Sequence, residues 1–441
     1  MEHFENLGAL KAAMLKAGVI RLYQKSLAPN DNFKNQIYLG GSFSVLNQLP
    51  AKRPEVQPNG KTLWAQVDFW WLEKDNGKLH APQTKLILYP QYPEVRLSGF
   101  LAGCTSRRGH YFDPSKLGRT IGRVMFLGVT AKGQIIGHVT AAGSQLSGQT
   151  FERLNPEQAS LLRQIPLHDN VDDRQQLLLE LARIHRLGWI ESKSLRADGT
   201  FQPCTSSNCV GLTLEAELGV AKNGRPEPDF LGWEIKASLV NRLDRPPTAK
   251  PQTLFTPEPT FGFYKSEGVE AFVRKYGYID RMGREDRLNF GGKFIYGVKA
   301  SLTNLTLAMD GYNPATGKIE NSDGGIVLHD QVGEVAAGWK FSGLLERWSR
   351  KHDRAAYVSG MKDPDQWRFR YGNEVRLAVG TDFSLFLKAV HDGLVFYDPG
   401  IKIEDASTAR PKIKRRSQFR IASNRLSDLY HQVENVNLEE S

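Results

Sequence analysis

Between Lys61 and Thr140 the chain is a succession of short apolar runs closed by Gly, Pro or Asn, and this stretch restricts the fold most tightly. The runs TLWAQVDFWWLE, KLILYP, VRLSGFL, GRVMFLGVT and QIIGHVT are rich in β-branched and aromatic residues and too short for helices with their own cores. They predict an all-β domain, a small barrel, over residues 1–165. Trp70 and Trp71 fall within one run and are expected in its core, not as platforms for stacked bases.

The pattern changes near Pro156. Asn170 is placed to cap a helix with Asp172 and Asp173 in its first turn, an apolar stripe of Leu177, Leu178, Leu181 and Ile184, and a stop at Gly188. That helix opens a second domain over residues 170–441, and two domains suit a chain of 441 residues. Apolar alternation in YIDRMGREDRLNFGGKFIYGVKASL and a helix-like AAGWKFSGLLERWSRK make this half α/β.

The segment richest in chemistry runs from Gly211 to Ser238. Pro228 and Asp229 are followed, after four residues, by Glu234, Ile235 and Lys236. In a strand Glu234 and Lys236 share one face, while Trp233 and Ile235 turn to the core. Asp229, on a bend introduced by Pro228, can converge on Glu234, and two carboxylates there suit a hard cation such as Mg2+. Lys236 would then position or polarise an attacking water. Glu215 is a third carboxylate, on a helix start with Leu214 and Leu218 buried; Glu217 points elsewhere on that helix. The bland alternative is a surface strand with solvated charges, since short patterns of this kind arise by chance.

The unit resembles the PD…(D/E)xK nuclease signature, and more closely the MvaI/BcnI family of restriction endonucleases. The similarity runs through LGWIESKS at 187–194, GLTLE at 211–215, PDFLGWEIK at 228–236 and TLFT at 253–256. It implies a PD-(D/E)xK fold for the C-terminal domain and a catalytic set of Glu215, Asp229, Glu234 and Lys236. It also implies Mg2+ on Asp229 and Glu234, and double-stranded DNA as substrate. Members read short CCNGG-type sites, of which CCWGG is the best guess here, as monomers that nick each strand in turn. A partner methyltransferase is expected in the host. The CTSSNC insertion before GLTLE departs from the smallest members.

Lys and Arg outnumber Asp and Glu by 58 to 48, which favours a polyanionic partner. From Ile401 to Arg420 the chain carries seven basic residues against two acidic ones. Arg415 and Arg416, with Arg420 in the strand-like QFRIA, suit base edges, whereas Lys402, Lys412 and Lys414 suit phosphates. Where members of the family often present histidines on this loop, this chain has Lys414 and Arg415.

In the N-terminal half, LAPNDNFKNQIYLGG and YPQYPEVRLSGFLAGC resemble the effector domain of the EcoRII restriction enzyme, a DNA-binding pseudobarrel gripping DNA with two arms. The resemblance places Asn30, Asp31, Lys34 and Gln36 on the first arm and Gln91, Glu94 and Arg96 on the second. It implies that the domain binds a second copy of the site and stimulates cleavage.

Three cysteines, Cys104, Cys204 and Cys209, are read as free thiols, which fits a reducing cytoplasm. No apolar run reaches 18 residues, so no membrane association is expected. GYNPATGK at 311–318 lacks the spacing of a phosphate-binding loop, and the ten histidines lack zinc-enzyme spacing. Two other functions compete: an inactive two-domain DNA-binding regulator, and a structure-specific repair nuclease.

Overall fold

The computed structural model describes the chain except for residues 1–3, 30–34, 74–76, 93, 106–110, 114–119, 152–161, 168–172, 207, 222–228, 244–250, 352–353 and 441. The chain divides into two compact units, Met1–Asp172 and Asp173–Ser441. No helix among the described residues is long and apolar enough to cross a membrane.

The first unit is built on two sheets. One holds six strands in the order Arg163–Ile165, Val19–Ser26, Val124–Thr130, Gln134–Thr140, Asp68–Leu72 and Lys78–His80. The other holds five, in the order Gln36–Gly40, Glu94–Ser98, Lys85–Tyr89, Leu63–Gln66 and Glu55–Val56. Each of the five apolar runs became one or two of these strands. Pairing is antiparallel except between Gln134–Thr140 and Asp68–Leu72.

The unit is not all-β, because Leu7–Lys16 forms a helix capped by the Asn6 side chain and buries Leu10, Ala13 and Met14. A leucine, an alanine and a methionine make up the face that packs on the sheet; Met14 packs with Val19 and Leu22 of the adjoining strand. Trp71 is fully buried and its indole donates to the Phe100 carbonyl at 2.7 Å. Trp70 is only half-buried, with its indole on Asp68 and its ring against His80.

In the second unit the helix Asp173–Arg186 buries Leu177, Leu178, Leu181 and Ile184, and Gly188 follows it at φ +68°. Asn170 and Asp172 lie outside the described residues. The helix packs on a sheet ordered Ile190–Glu191, Arg368–Val379, Arg354–Lys362 and Glu234–Leu239, with Gln432–Asn437 added along Arg368–Val379. The pair Glu234–Leu239 and Arg354–Lys362 is parallel, the others antiparallel. The core beneath this sheet joins those helix leucines to Trp233, Ile235, Val358, Tyr371, Val375 and Leu377.

Residues 251–431 carry a second, aromatic core of Phe255, Trp339, Trp348, Phe386, Tyr397 and Phe419. The stretch AAGWKFSGLLERWSRK divides there: Val335–Lys340 is a strand and the helix begins at Phe341. Gly338 sits in that strand because a Cβ would come within 2.3 Å of the Phe261 ring. GYNPATGK forms a hairpin, Tyr312–Asn313 against Lys318–Ile319.

The reading of free thiols is corrected at one pair. Cys204 and Cys209 form a disulfide, with Cα atoms 5.8 Å apart; Cys104 is free. The chain turns back between them to enter the helix Cys209–Glu217, with the Ser206 N–H donated to Cys209 Sγ, and that turn brings the two sulfurs together. CTSSNC is therefore the bridged entry to that helix.

Candidate active site

The strand Glu234–Leu239 starts out of a two-residue turn. Phe230 and Trp233 exchange both main-chain hydrogen bonds, at 3.0 and 2.8 Å, and the residues between them, Leu231 and Gly232, have φ of +48° and +80°. Left-handed backbone at both central positions is the geometry whose twist suits flanking strands. At Gly232 it coincides with crowding, since a Cβ would lie 2.7 Å from Arg354 Nη2. Leu231 tolerates its strained backbone while packing against the core. A turn thus follows Asp229, and the bend expected at Pro228 lies outside the described residues.

The turn folds Asp229 back on the strand, where its Oδ2 accepts the Ile235 N–H at 2.9 Å. Trp233 and Ile235 enter the core, and the opposite face presents Glu234 and Lys236. Glu234 is 3% exposed, and Lys236 Nζ donates to its Oε1 at 2.6 Å. A buried carboxylate needs such a partner, because desolvating an uncompensated charge is costly. Lys236 is paired in register with Tyr357, whose hydroxyl bonds that of Tyr430 at 2.9 Å. Burial, and then the charge of Glu234, push the Tyr357 hydroxyl above its ordinary range, so it stays protonated.

Glu215 lies near the end of the helix Cys209–Glu217, not at its start, and that helix packs against the strand of Glu234. Leu214 and Leu218 are buried. Glu217 is committed elsewhere, to Lys193 at 2.6 Å and Arg183 at 3.7 Å. Asp229, Glu234 and Lys236 are therefore brought together, with Glu215 on a neighbouring element. No group of three or more His, Cys, Asp or Glu side chains set to hold a metal occurs among the described residues.

The basic segment forms a hairpin, Gly400–Glu404 against Lys412–Lys414, at the edge of a four-stranded sheet. Lys412, Lys414, Arg415 and Arg416 are exposed and Lys402 half-buried. Lys412 and Lys414 touch Asp405 and Glu404, exposed pairs that hold their charges only loosely. Arg420 differs, since its guanidinium ties Asp398 at 2.7 Å and the Pro251 carbonyl across two strands. Its neighbours make it a brace for the strand Phe419–Ala422.

In the first unit Arg96 pairs with Glu94, donates to Gln36 Oε1 at 3.3 Å and lies 5.3 Å from the Tyr89 ring. The antiparallel register of Gln36–Gly40 with Glu94–Ser98 sets Tyr38 opposite Arg96, so parts of both expected arms meet on one sheet face. Gln91 sits in the turn before it; Asn30, Asp31 and Lys34 lie outside the described residues.

Residues 178–430 match the MvaI/BcnI restriction endonuclease family, which is more than half of the chain. The chain belongs to that family. Two solved structures are similar to this family member. "Restriction endonuclease MvaI-cognate DNA substrate complex" is 18% identical, covers 60% of this chain and 98% of its own, and has a TM-score of 0.44. "Restriction endonuclease MvaI in the absence of DNA" is 17% identical, covers 61% and 99%, and has a TM-score of 0.34. No curated protein matches. Asp229, Glu234 and Lys236 all fall inside the matched residues, and the unit Met1–Asp172 falls outside them. Sequence reasoning passed over Tyr357 and Arg376, which adjoin the site through strand register, and Tyr430, which reaches it through its hydroxyl bond to Tyr357.

Proposed function

We propose that this member of the MvaI/BcnI family is a Type II restriction endonuclease that hydrolyses phosphodiester bonds of double-stranded DNA at a CCNGG-type site, with CCWGG as the form to test first. The observation that carries the reading is the local convergence of Asp229, buried Glu234 and Lys236 on one turn and one strand. Mg2+ usually keeps several waters and binds through one or two carboxylates plus phosphate oxygens. Asp229 and Glu234 fit that need without a larger cluster. When bound, the ion would supply Lewis-acid stabilisation of charge on the phosphate and a more acidic water. Lys236, fixed by Glu234, holds its ammonium where a water or a phosphate oxygen can be oriented, and Glu215 is the third acid that could complete the site.

One such site per chain means that a monomer must nick the two strands in sequence, rebinding between cuts. The first unit, with Gln36, Glu94 and Arg96 on one face, is proposed to bind a second copy of the site and stimulate cleavage, which makes the enzyme Type IIE. This combination resembles UbaLAI, an enzyme of that type. A host methyltransferase would protect the same site, and the cytoplasm is where both would act.

Plasmid DNA incubated with the protein and Mg2+ tests the reading. Discrete bands with one repeated end sequence are expected. A smear would favour a structure-specific or unspecific nuclease, and DNA bound but uncut would favour a regulator.

A further inference from the structure

Four strands of the catalytic sheet place one residue each in a single cross-strand row: Lys236 beside Tyr357, Tyr357 beside Arg376, and Arg376 beside Asn435. Arg376 therefore lies two strand spacings from Lys236, roughly 10 Å, and lines a cavity of about 450 Å³ with Tyr357, Ser359, Ser423 and Asn435.

The guanidinium of Arg376 has neutral partners. Nε donates to Asn435 Oδ1 at 3.3 Å and Nη1 to the Ser423 carbonyl at 3.1 Å. Among the described residues no carboxylate lies within 4.0 Å of it, and Glu374, two residues back on the strand, lines the cavity without reaching it. A guanidinium carries five N–H donors in a fixed fork, so most remain for a ligand. A half-buried cation with no carboxylate in contact among the described residues gains from an arriving anion, and two bonds already hold this one at the open cavity. The fork can make two parallel hydrogen bonds to a phosphate, as it can to a carboxylate.

We propose that Arg376 and this cavity form a phosphate subsite that grips a backbone phosphate of bound DNA, beside the one that is cut. The assignment rests on the nuclease reading and adds to it the residue that holds the strand along the row from Lys236. Tyr357, with its hydroxyl on Tyr430, fills the space between Lys236 and Arg376 and fixes the distance between the two cations.

The test uses the full chain and a short duplex that the wild-type protein cuts, with Ca2+ in place of Mg2+ to permit binding without cleavage. Affinity is measured over a range of salt concentrations. Arg376→Gln should weaken binding roughly tenfold and lower the slope of log affinity against log salt by about one, the signature of one lost phosphate contact. Arg376→Lys should recover most of that slope, because it restores the charge. An unchanged slope in Arg376→Gln overturns the subsite. If Arg376→Gln does not fold, an arginine-specific dicarbonyl reagent on the wild-type protein decides: Arg376 should be modified in the free protein and protected by the duplex. Equal modification with and without DNA overturns the assignment. Wild-type protein that neither binds nor cuts duplex DNA would overturn the nuclease reading itself, whereas cutting with an indifferent Arg376 overturns only the subsite.

Discussion

Asp229 reaches across the Leu231–Gly232 turn to accept the main-chain N–H of Ile235, so the acid is held by the strand that carries Glu234 and Lys236. An amide oxygen can make the same bond, but it carries no charge. Asp229→Asn should therefore keep the wild-type melting temperature and specific binding in Ca2+, while cleavage falls by at least about a hundredfold. Lys236→Ala should also abolish cleavage and spare binding, but it should lower the melting temperature, because it strips the ammonium from a carboxylate that is 3% exposed. Band shifts and thermal melts on the two variants check this. Loss of binding in both would make them supports of the fold.

The two acids of the helix Cys209–Glu217 should separate by what they change. Glu215→Ala should cut the rate on the order of a hundredfold with little change in stability, if it completes the site. Glu217→Ala leaves Lys193 and Arg183 without their shared acid and should instead lower the melting temperature, with the rate per folded molecule unchanged. Wild-type turnover in Glu215→Ala would leave Glu215 an ordinary helix residue.

Local patterns made much of this fold legible. The leucine stripe from Leu177 to Ile184 fixed a helix whose stop at Gly188 needs left-handed backbone, and the alternation Trp233, Glu234, Ile235, Lys236 told core from open face. What stayed hidden depended on partners distant in the chain. AAGWK looked helical because Ala and Lys favour helices, yet pairing with Gly325–His329 draws it into a strand. The Cys204–Cys209 bridge needed the turn between them. Arg376 entered the site region through register alone, since Tyr357 and Lys236 are joined to it only by strand pairing. Sequence alternation fixes a side chain's face and leaves its cross-strand neighbour open.

Lys25 offers a test of the first unit by pH. It is 4% exposed, and burial pushes its ammonium down to about 8 from 10.5. Below pH 8 the lysine is charged in both folded and unfolded chains, and the folded state bears the cost of burying that charge. Between pH 8 and 10.5 the folded chain releases the proton while the unfolded chain keeps it, so stability rises with pH, by up to about 3 kcal/mol. Lys25→Met removes the penalty. It should melt higher than wild type at pH 7, with the gap closing toward pH 10. A gap that is constant with pH would show that Lys25 is not titrating from a buried position.

The last expectation concerns the division of labour between the units. Every residue assigned to catalysis lies beyond Asp173, where the second unit begins, so a fragment starting there should cut DNA by itself. The intact chain should behave differently if the first unit holds a second copy of the site. Two sites on one plasmid raise the local concentration of the second duplex, and such plasmids should be cut faster than one-site plasmids. A short cognate duplex added in trans should rescue the one-site plasmid. Arg96 is the residue to change: it is held by Glu94 and Gln36 on one sheet face and belongs to the first unit. Arg96→Ala should therefore abolish the rescue while the basal rate on one-site DNA stays at its wild-type value. Equal rates on one-site and two-site plasmids, with no response to added duplex, would make the first unit a structural or anchoring domain and leave catalysis to Asp229, Glu234 and Lys236 alone.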